Sequence, residues 1–177
     1  MFGHNQTMSR TKLISDQDVL ALLYAMLLQD GEKLFTFQSA AKAAGLSAPA
    51  LVQRFATREA LLVATLRYGW ERLEAVTVAA EAEALMSPKG AQAMLKAIAT
   101  TEDIPALFLA SQRHAELQPL AARWREGLEA ALAPRLGPGN KGRVSAALLF
   151  AVWQGRMLWG EAGGKGFKLG DALRHFG

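Results

Sequence analysis

TFQSAAKAAGLSAPALVQRFATR, residues 36–58, decides the fold of this 177-residue chain. Phe37, Ala40, Ala41 and Ala44 recur at i, i+3, i+4 and i+7, one face of a short helix. Gly45 stands where the chain must turn, since glycine takes a positive φ without a Cβ penalty. Ser47 suits an N-cap, and Pro49 fits the first turn of a second helix, where N–H groups have no intrahelical partner. Leu51 and Phe55 make that helix's buried face, and the alanines of the first helix let it approach closely. Two helices joined this way form a helix-turn-helix, whose second helix enters the major groove of DNA.

Upstream, Ser15 caps a first helix, with Asp16 and Asp18 at the positive end of its dipole. Val19, Leu22, Leu23, Met26 and Leu27 form its apolar stripe, and Asp30-Gly31 ends it. Downstream, Thr57 caps a fourth helix that nothing stops before Ser87-Pro88. It spans about 28 residues, or roughly 40 Å, and so runs from the N-terminal unit into the rest of the chain. Further helices are expected over residues 89–100, 104–116, 118–133 and 143–161. Pro134 and Gly137-Pro138-Gly139 should break the chain, Gly163-Gly164 should end the penultimate helix, and a last short helix is expected over 168–176. No segment alternates with period two. The class is therefore all-α with about nine helices, divided into a helix-turn-helix unit at 1–58 and a larger unit at 59–177.

Composition narrows the functional classes. Half of the residues are apolar (51%), enough for a packed core. The absence of cysteine excludes disulfides and thiolate metal sites and fits a reducing cytoplasm. No apolar run approaches the roughly 20 residues that span a bilayer, so no membrane role is expected. MFGHNQTMSR, at the N-terminus, lacks an apolar signal region. It reads as a disordered arm or as a leader before a second start at Met8. The net charge of +4 is compatible with a polyanionic partner, and the first 58 residues are only slightly denser in positive charge.

GLSAPALVQRFATREALL, residues 45–62, resembles the recognition segment of the tetracycline-repressor (TetR/AcrR) family of transcriptional regulators. Thr36 matches a Thr that opens the family's second helix, and helix number and order agree. Three positions depart: Val52 stands where the family usually has an aromatic residue, Gln38 where Arg is common, and Arg58 where Lys is common. The resemblance implies a homodimeric repressor that binds double-stranded DNA at a palindromic operator and responds to a small, mostly apolar effector. It implies no cofactor, metal or catalysis.

On a helical wheel Pro49, Ala50, Gln53 and Arg54 lie opposite Leu51 and Phe55 and should face the groove. Gln suits adenine and Arg guanine, while Ala48 and Ala50 are small enough to meet a thymine methyl. Thr36, Gln38, Lys42, Ser47 and Arg58 are placed for backbone phosphates. Trp70, Met94, Phe108, Trp124, Phe150, Trp153 and Met157 are candidates for an apolar cavity, with Arg113 and His114 to orient a ligand. For the dimer interface that the resemblance implies, Ala147, Ala151 and Gly155 recur at i, i+4 and i+8. Leu148, Val152 and Leu158 join them, and Leu173 and Phe176 sit on the last helix. Two other classes stay open. One is a protein of this fold that acts through a protein partner without operator binding. The other is a small helical enzyme, for which the separation of Ser111 and His114 on one helix is the only signal; His4, His114 and His175 show no metal-ligand spacing.

Overall fold

Helix caps and glycine turns divide the chain where the sequence places them. The computed structural model describes residues 14–101, 104–159 and 168–176, with only the backbone at Thr101, Leu173, His175 and Phe176. Among the described residues there are nine α-helices and no strand: α1 (Asp16–Asp30), α2 (Phe37–Ala44), α3 (Ala48–Phe55), α4 (Arg58–Glu83), α5 (Pro88–Thr101), α6 (Ile104–Ser111), α7 (Gln118–Leu136), α8 (Gly139–Trp159) and α9 (Leu169–Phe176). Short 3-10 turns at Glu32–Leu34 and Ala115–Leu117 complete the order. The N-terminal arm and the Gly163-Gly164 stop lie outside the described residues.

Three expected boundaries move. Pro134 does not end α7, which continues to Leu136. Arg135 holds that last turn: its Nη1 donates to the Ala131 carbonyl at 2.6 Å, and its Nη2 to the Glu81 and Ala84 carbonyls at 3.0 and 3.2 Å. The buried guanidinium thus caps the negative end of α4 from α7. α6 stops at Ser111 rather than near Glu116, because His114 is extended (φ −123°, ψ 100°) and starts the second 3-10 turn. α8 begins at Gly139, earlier than expected.

The N-terminal unit is built on satisfied caps. The Asp18, Ser39, Ala50 and Ala60 backbone N–H groups donate to the side chains of Ser15, Thr36, Ser47 and Thr57, at 3.1, 3.1, 3.3 and 3.0 Å. Each removes one of the unpaired donors at a helix start. Gly45 takes the left-handed conformation (φ 65°), and the Leu46 N–H bonds back to the Ala41 carbonyl at 2.9 Å, closing α2 and turning the chain into α3. Val19, Leu23, Phe35, Ala40, Leu51 and Leu62 are fully buried and form the shared core of α1–α3 and the start of α4.

α4 carries this unit into the rest of the molecule. Leu61, Leu62 and Leu66 pack toward the N-terminal core, and Trp70, Leu73 and Thr77 are buried further along. Gly69 lies where both α1 and α6 cross α4. A Cβ there would stand 2.5 Å from Tyr24 Cε2 and 3.0 Å from Leu107 Cδ1. Gly69→Ala should therefore lower stability by about 1–3 kcal/mol despite its better helix propensity, a loss readable as a shifted urea midpoint. A gain of stability would show that the two helices yield freely. α7 and α8 pack as an antiparallel pair, with Leu128, Leu132, Leu149, Phe150 and Trp153 buried, and α5 and α9 close the far side.

Candidate nucleic-acid interface and ligand cavity

α3 turns Leu51 wholly inward and leaves Pro49, Val52, Gln53 and Ala56 exposed, at i, i+3, i+4 and i+7. This row differs from the expected one. Ala48 and Ala50 are half-buried, and Val52, 44% exposed, stands in the middle of the outer face. Arg54 is drawn back to the start of α1, where its Nη1 donates to the Ile14 carbonyl at 3.3 Å and to Asp16 Oδ1 at 3.2 Å. Asp16 supplies the opposite charge, so the guanidinium tethers α3 to α1 and is not directed into the row.

Arg58 also has internal partners. Its Nε donates to the Phe35 carbonyl at 2.6 Å and its Nη2 to the Glu32 carbonyl at 2.8 Å, spanning the turn between α1 and α2. Gln38 and Lys42 are exposed on one face of α2, at i and i+4. Thr36 and Ser47 sit at the exposed starts of α2 and α3, each engaged as a cap. The structure thus gathers Thr36, Gln38, Lys42, Ser47, Pro49 and Gln53 around the α2–α3 surface. Between α3 and α4, Ala56 takes φ 61°, ψ −54°, and the Thr57 N–H bonds the Phe55 carbonyl at 2.7 Å. This is the tight three-residue turn that side chains adopt at a cost.

An Arg–Glu ion pair and a His–Glu contact join this unit to the segment after α6. Arg113 Nη2 lies 2.5 Å from Glu32 Oε2, and His114 Nδ1 lies 2.8 Å from Glu59 Oε1 in the first turn of α4. His114 is buried, and its Nε2 has no hydrogen-bond partner among the described residues. Arg113 and His114 were expected to orient a ligand; both are instead committed to the N-terminal unit by their acidic neighbours. Ser111 and His114 form no catalytic pair: the Ser111 hydroxyl accepts from Trp70 Nε1 at 2.7 Å and donates to the Leu107 carbonyl at 2.7 Å. Among the described residues no group of three acidic or histidine side chains is placed to hold a metal, and no helix is long and apolar enough to cross a membrane.

The cavity candidates do not share one space. Trp70, Phe108, Trp124 and Phe150 line a cleft of about 250 Å³ between α4, α6, α7 and α8. Met94 lines a different cleft between α4 and α5, and Trp153 and Met157 face a third beside α9. Arg113 borders a fourth, between α1 and α6. The separation follows from packing: Trp124 meets Trp70 and Trp153 at a tilt and Phe150 edge-on, with centroids 5.8, 6.5 and 6.0 Å apart, and so stands between Trp153 and the first cleft. Sequence reading missed Gln112, Gln118, Arg125 and Gln154 in that lining. Gln118, Ala121, Ala122 and Arg125 recur at i, i+3, i+4 and i+7 beside the Leu120–Trp124–Leu128 stripe, a signal that was available.

α8 exposes a second apolar surface. Val144, Leu148, Ala151, Gly155 and Leu158 follow one another at spacings of four, three, four and three, the rhythm of a packing seam between paired helices. Val144, Leu148 and Leu158 are about half exposed and Trp159 more so. Ala147 and Val152 are half-buried beside this seam, and Val152 packs against the chain's own core. The side chains of Leu173 and Phe176 lie outside the described residues.

No family model matches the sequence, and no curated protein matches it. Solved structures do. The multidrug binding protein EbrR complexed with imidazole is 26% identical, with 90% of this chain and 91% of that chain covered and a TM-score of 0.65. A member of the TetR family from Streptomyces coelicolor A3 is also 26% identical, over 90% and 94%, with a TM-score of 0.65. A TetR transcriptional regulator from Legionella pneumophila, 21% identical over 93% and 96%, agrees in fold with a TM-score of 0.65. EbrR is also seen complexed with ethidium and with malachite green.

Proposed function

We propose that this chain, a member of the tetracycline-repressor family, is a ligand-responsive transcriptional regulator that binds a palindromic operator as a homodimer and acts as a repressor. The observation that carries the reading is the α2–turn–α3 surface. Every helix start and turn in it is capped from within, yet its outer row of Pro49, Val52, Gln53 and Ala56 faces solvent beside Gln38 and Lys42. A rigid, exposed short helix flanked by helix N-termini and a lysine suits docking in a major groove with phosphates on either side.

In this reading residues 1–58 read DNA and residues 59–177 sense and dimerise. Gln53 is the residue that reaches base edges, Pro49 and Val52 make apolar contact, and Thr36, Gln38, Lys42 and Ser47 meet phosphates. Arg54 and Arg58 act indirectly, by fixing α3 on α1 and the α1–α2 turn on α4. The partner is double-stranded DNA, the effector an aromatic small molecule, and the working site the cytoplasm. The aromatic lining of the cleft at Trp70 and Trp124 supports an aromatic effector. Neither catalysis nor a cofactor enters the reading.

A ligand in that cleft touches Phe108 on α6 and Gln112 just past its end, one residue before Arg113. Shifting α6 shifts the Arg113–Glu32 and His114–Glu59 pairs, and with them the N-terminal unit. The ligand must favour one of two arrangements; equal affinity for both would change nothing.

Fluorescence anisotropy with duplex DNA across a salt series tests the reading. Log affinity should fall linearly with log salt, and Lys42→Ala should lessen the slope by about 1. A flat plot for the unaltered protein would remove the phosphate contacts and the DNA-binding function with them.

A further inference from the structure

We infer that the cleft between α4, α6, α7 and α8 takes a planar two-ring aromatic compound that is neutral or carries a carboxylate, and discriminates against aromatic cations. This rests on the ligand-responsive reading above and names the class of ligand. Size comes first. An apolar cavity of about 150 Å³ holds benzene, and this one has about 250 Å³, room for a second fused ring.

The walls set the shape. Trp70, Trp124, Phe108 and Phe150 bring aromatic surface to the space. Both indole N–H groups are directed elsewhere, Trp70 to Ser111 at 2.7 Å and Trp124 to Thr77 at 2.9 Å. The tryptophans therefore offer ring surface to a ligand rather than donors, which favours a flat, stacking molecule. Polar selectivity falls to the neutral amides of Gln112, Gln118 and Gln154.

Charge sets the sign. Among the described residues, Arg125 is the only ionisable one in the lining, and no Asp or Glu accompanies it there. Its guanidinium lies 5.3 Å from the Phe150 ring centroid, so an aromatic face that would otherwise attract a cation already carries one. Arg125 Nε is held by Glu129 Oε1 at 2.7 Å, which fixes the group in place and offsets part of its charge. Glu129 is not part of the lining, and a ligand carboxylate would meet the remaining edge of the guanidinium. An entering cation meets the repulsion of Arg125, moderated by its Glu129 partner and by solvent at the open side.

Isothermal titration calorimetry on the full chain with three probes of matched size tests this: 2-naphthol, 2-naphthoate and N-methylquinolinium. The naphthol and naphthoate should bind, with the quinolinium at least about tenfold weaker than naphthoate. Arg125→Gln should bring naphthoate down to the affinity of naphthol. Gln154→Glu should reverse the order of anion and cation, and thermal melts confirm that both variants fold. Quinolinium binding as tightly as naphthoate would overturn the proposed class while leaving a working ligand site. Binding of all three that ignores both substitutions would place the ligand elsewhere and overturn it too. Absence of binding with every probe would overturn the two-ring class while leaving the ligand-responsive reading to a ligand of another class.

Discussion

Leu148→Asp should convert the protein to a monomer and weaken operator binding by at least about a hundredfold, the order lost when two linked binding events become independent. Leu148 is 44% exposed in the middle of the α8 seam, between Val144 and Ala151. An apolar row at four-three spacing on one helix cannot bury itself against its own chain, because its other face is already used by α7. Leu149, Phe150 and Trp153 occupy that inner face. In the proposed dimer, pairing with a second copy about a two-fold axis would cover the row, and Ala151 and Gly155 would leave room for close approach. An aspartate in this row would face its own counterpart in a desolvated seam, where like charges repel strongly. In the proposed function the effect would reach DNA, because a palindrome would be read by two α3 helices held at fixed separation. Sedimentation at micromolar concentration checks the first half and anisotropy the second. A variant that remains dimeric would move the interface off α8. A monomer that binds the operator as tightly as before would remove the palindrome from the account.

Arg58→Ala should lower stability by about 1–3 kcal/mol, the range expected when hydrogen bonds from a partly exposed charged donor are lost. DNA affinity should fall with it. The conservative change separates two roles. A phosphate contact needs a positive charge, so Arg58→Lys would preserve both stability and salt slope. A bracket needs two donors in a fixed fork, here to the Phe35 carbonyl at 2.6 Å and the Glu32 carbonyl at 2.8 Å, and an ammonium cannot reproduce that spacing. The bracket predicts that Arg58→Lys loses most of the stability lost by alanine while the salt slope stays unchanged. Chemical denaturation and a salt series read the two effects separately. Full rescue by lysine would return Arg58 to the DNA-contacting set.

The same contrast explains what was legible in the sequence. Caps and glycine turns depend on residues three or four apart, so Ser15, Thr36, Ser47, Thr57 and Gly45 announce their roles, and the helix order follows. The outer row of α3 was half legible, because the periodicity of eight residues gives the buried side without giving the partners of its edge. Arg54 lies on that edge, and its destination depends on Asp16, 38 positions away. Arg58 depends in the same way on a turn 23 positions away. His114 looked like a ligand-orienting group until Glu59 appeared beside it. The aromatic residues read in sequence as the lining of one cavity, whereas the structure divides them between clefts. Nothing local says that Trp124 would stand between Trp70 and Trp153 and separate two clefts. Pro134 reads as a helix breaker in sequence, yet Arg135 bonds the Ala131 carbonyl one turn back and the Glu81 carbonyl at the end of α4, and α7 continues past the proline.

Selection of bound sites from a pool of random duplex DNA, with the full chain as bait, tests the central claim most directly. A dimer reading DNA through two α3 helices predicts enrichment of a palindrome whose half-sites are centred about 10 base pairs apart or more. Enrichment should be lost when Gln53 is replaced by alanine and the pool is selected again. Recovery of sequences no different from the starting pool, or of a single unrepeated element indifferent to Gln53, would contradict the account.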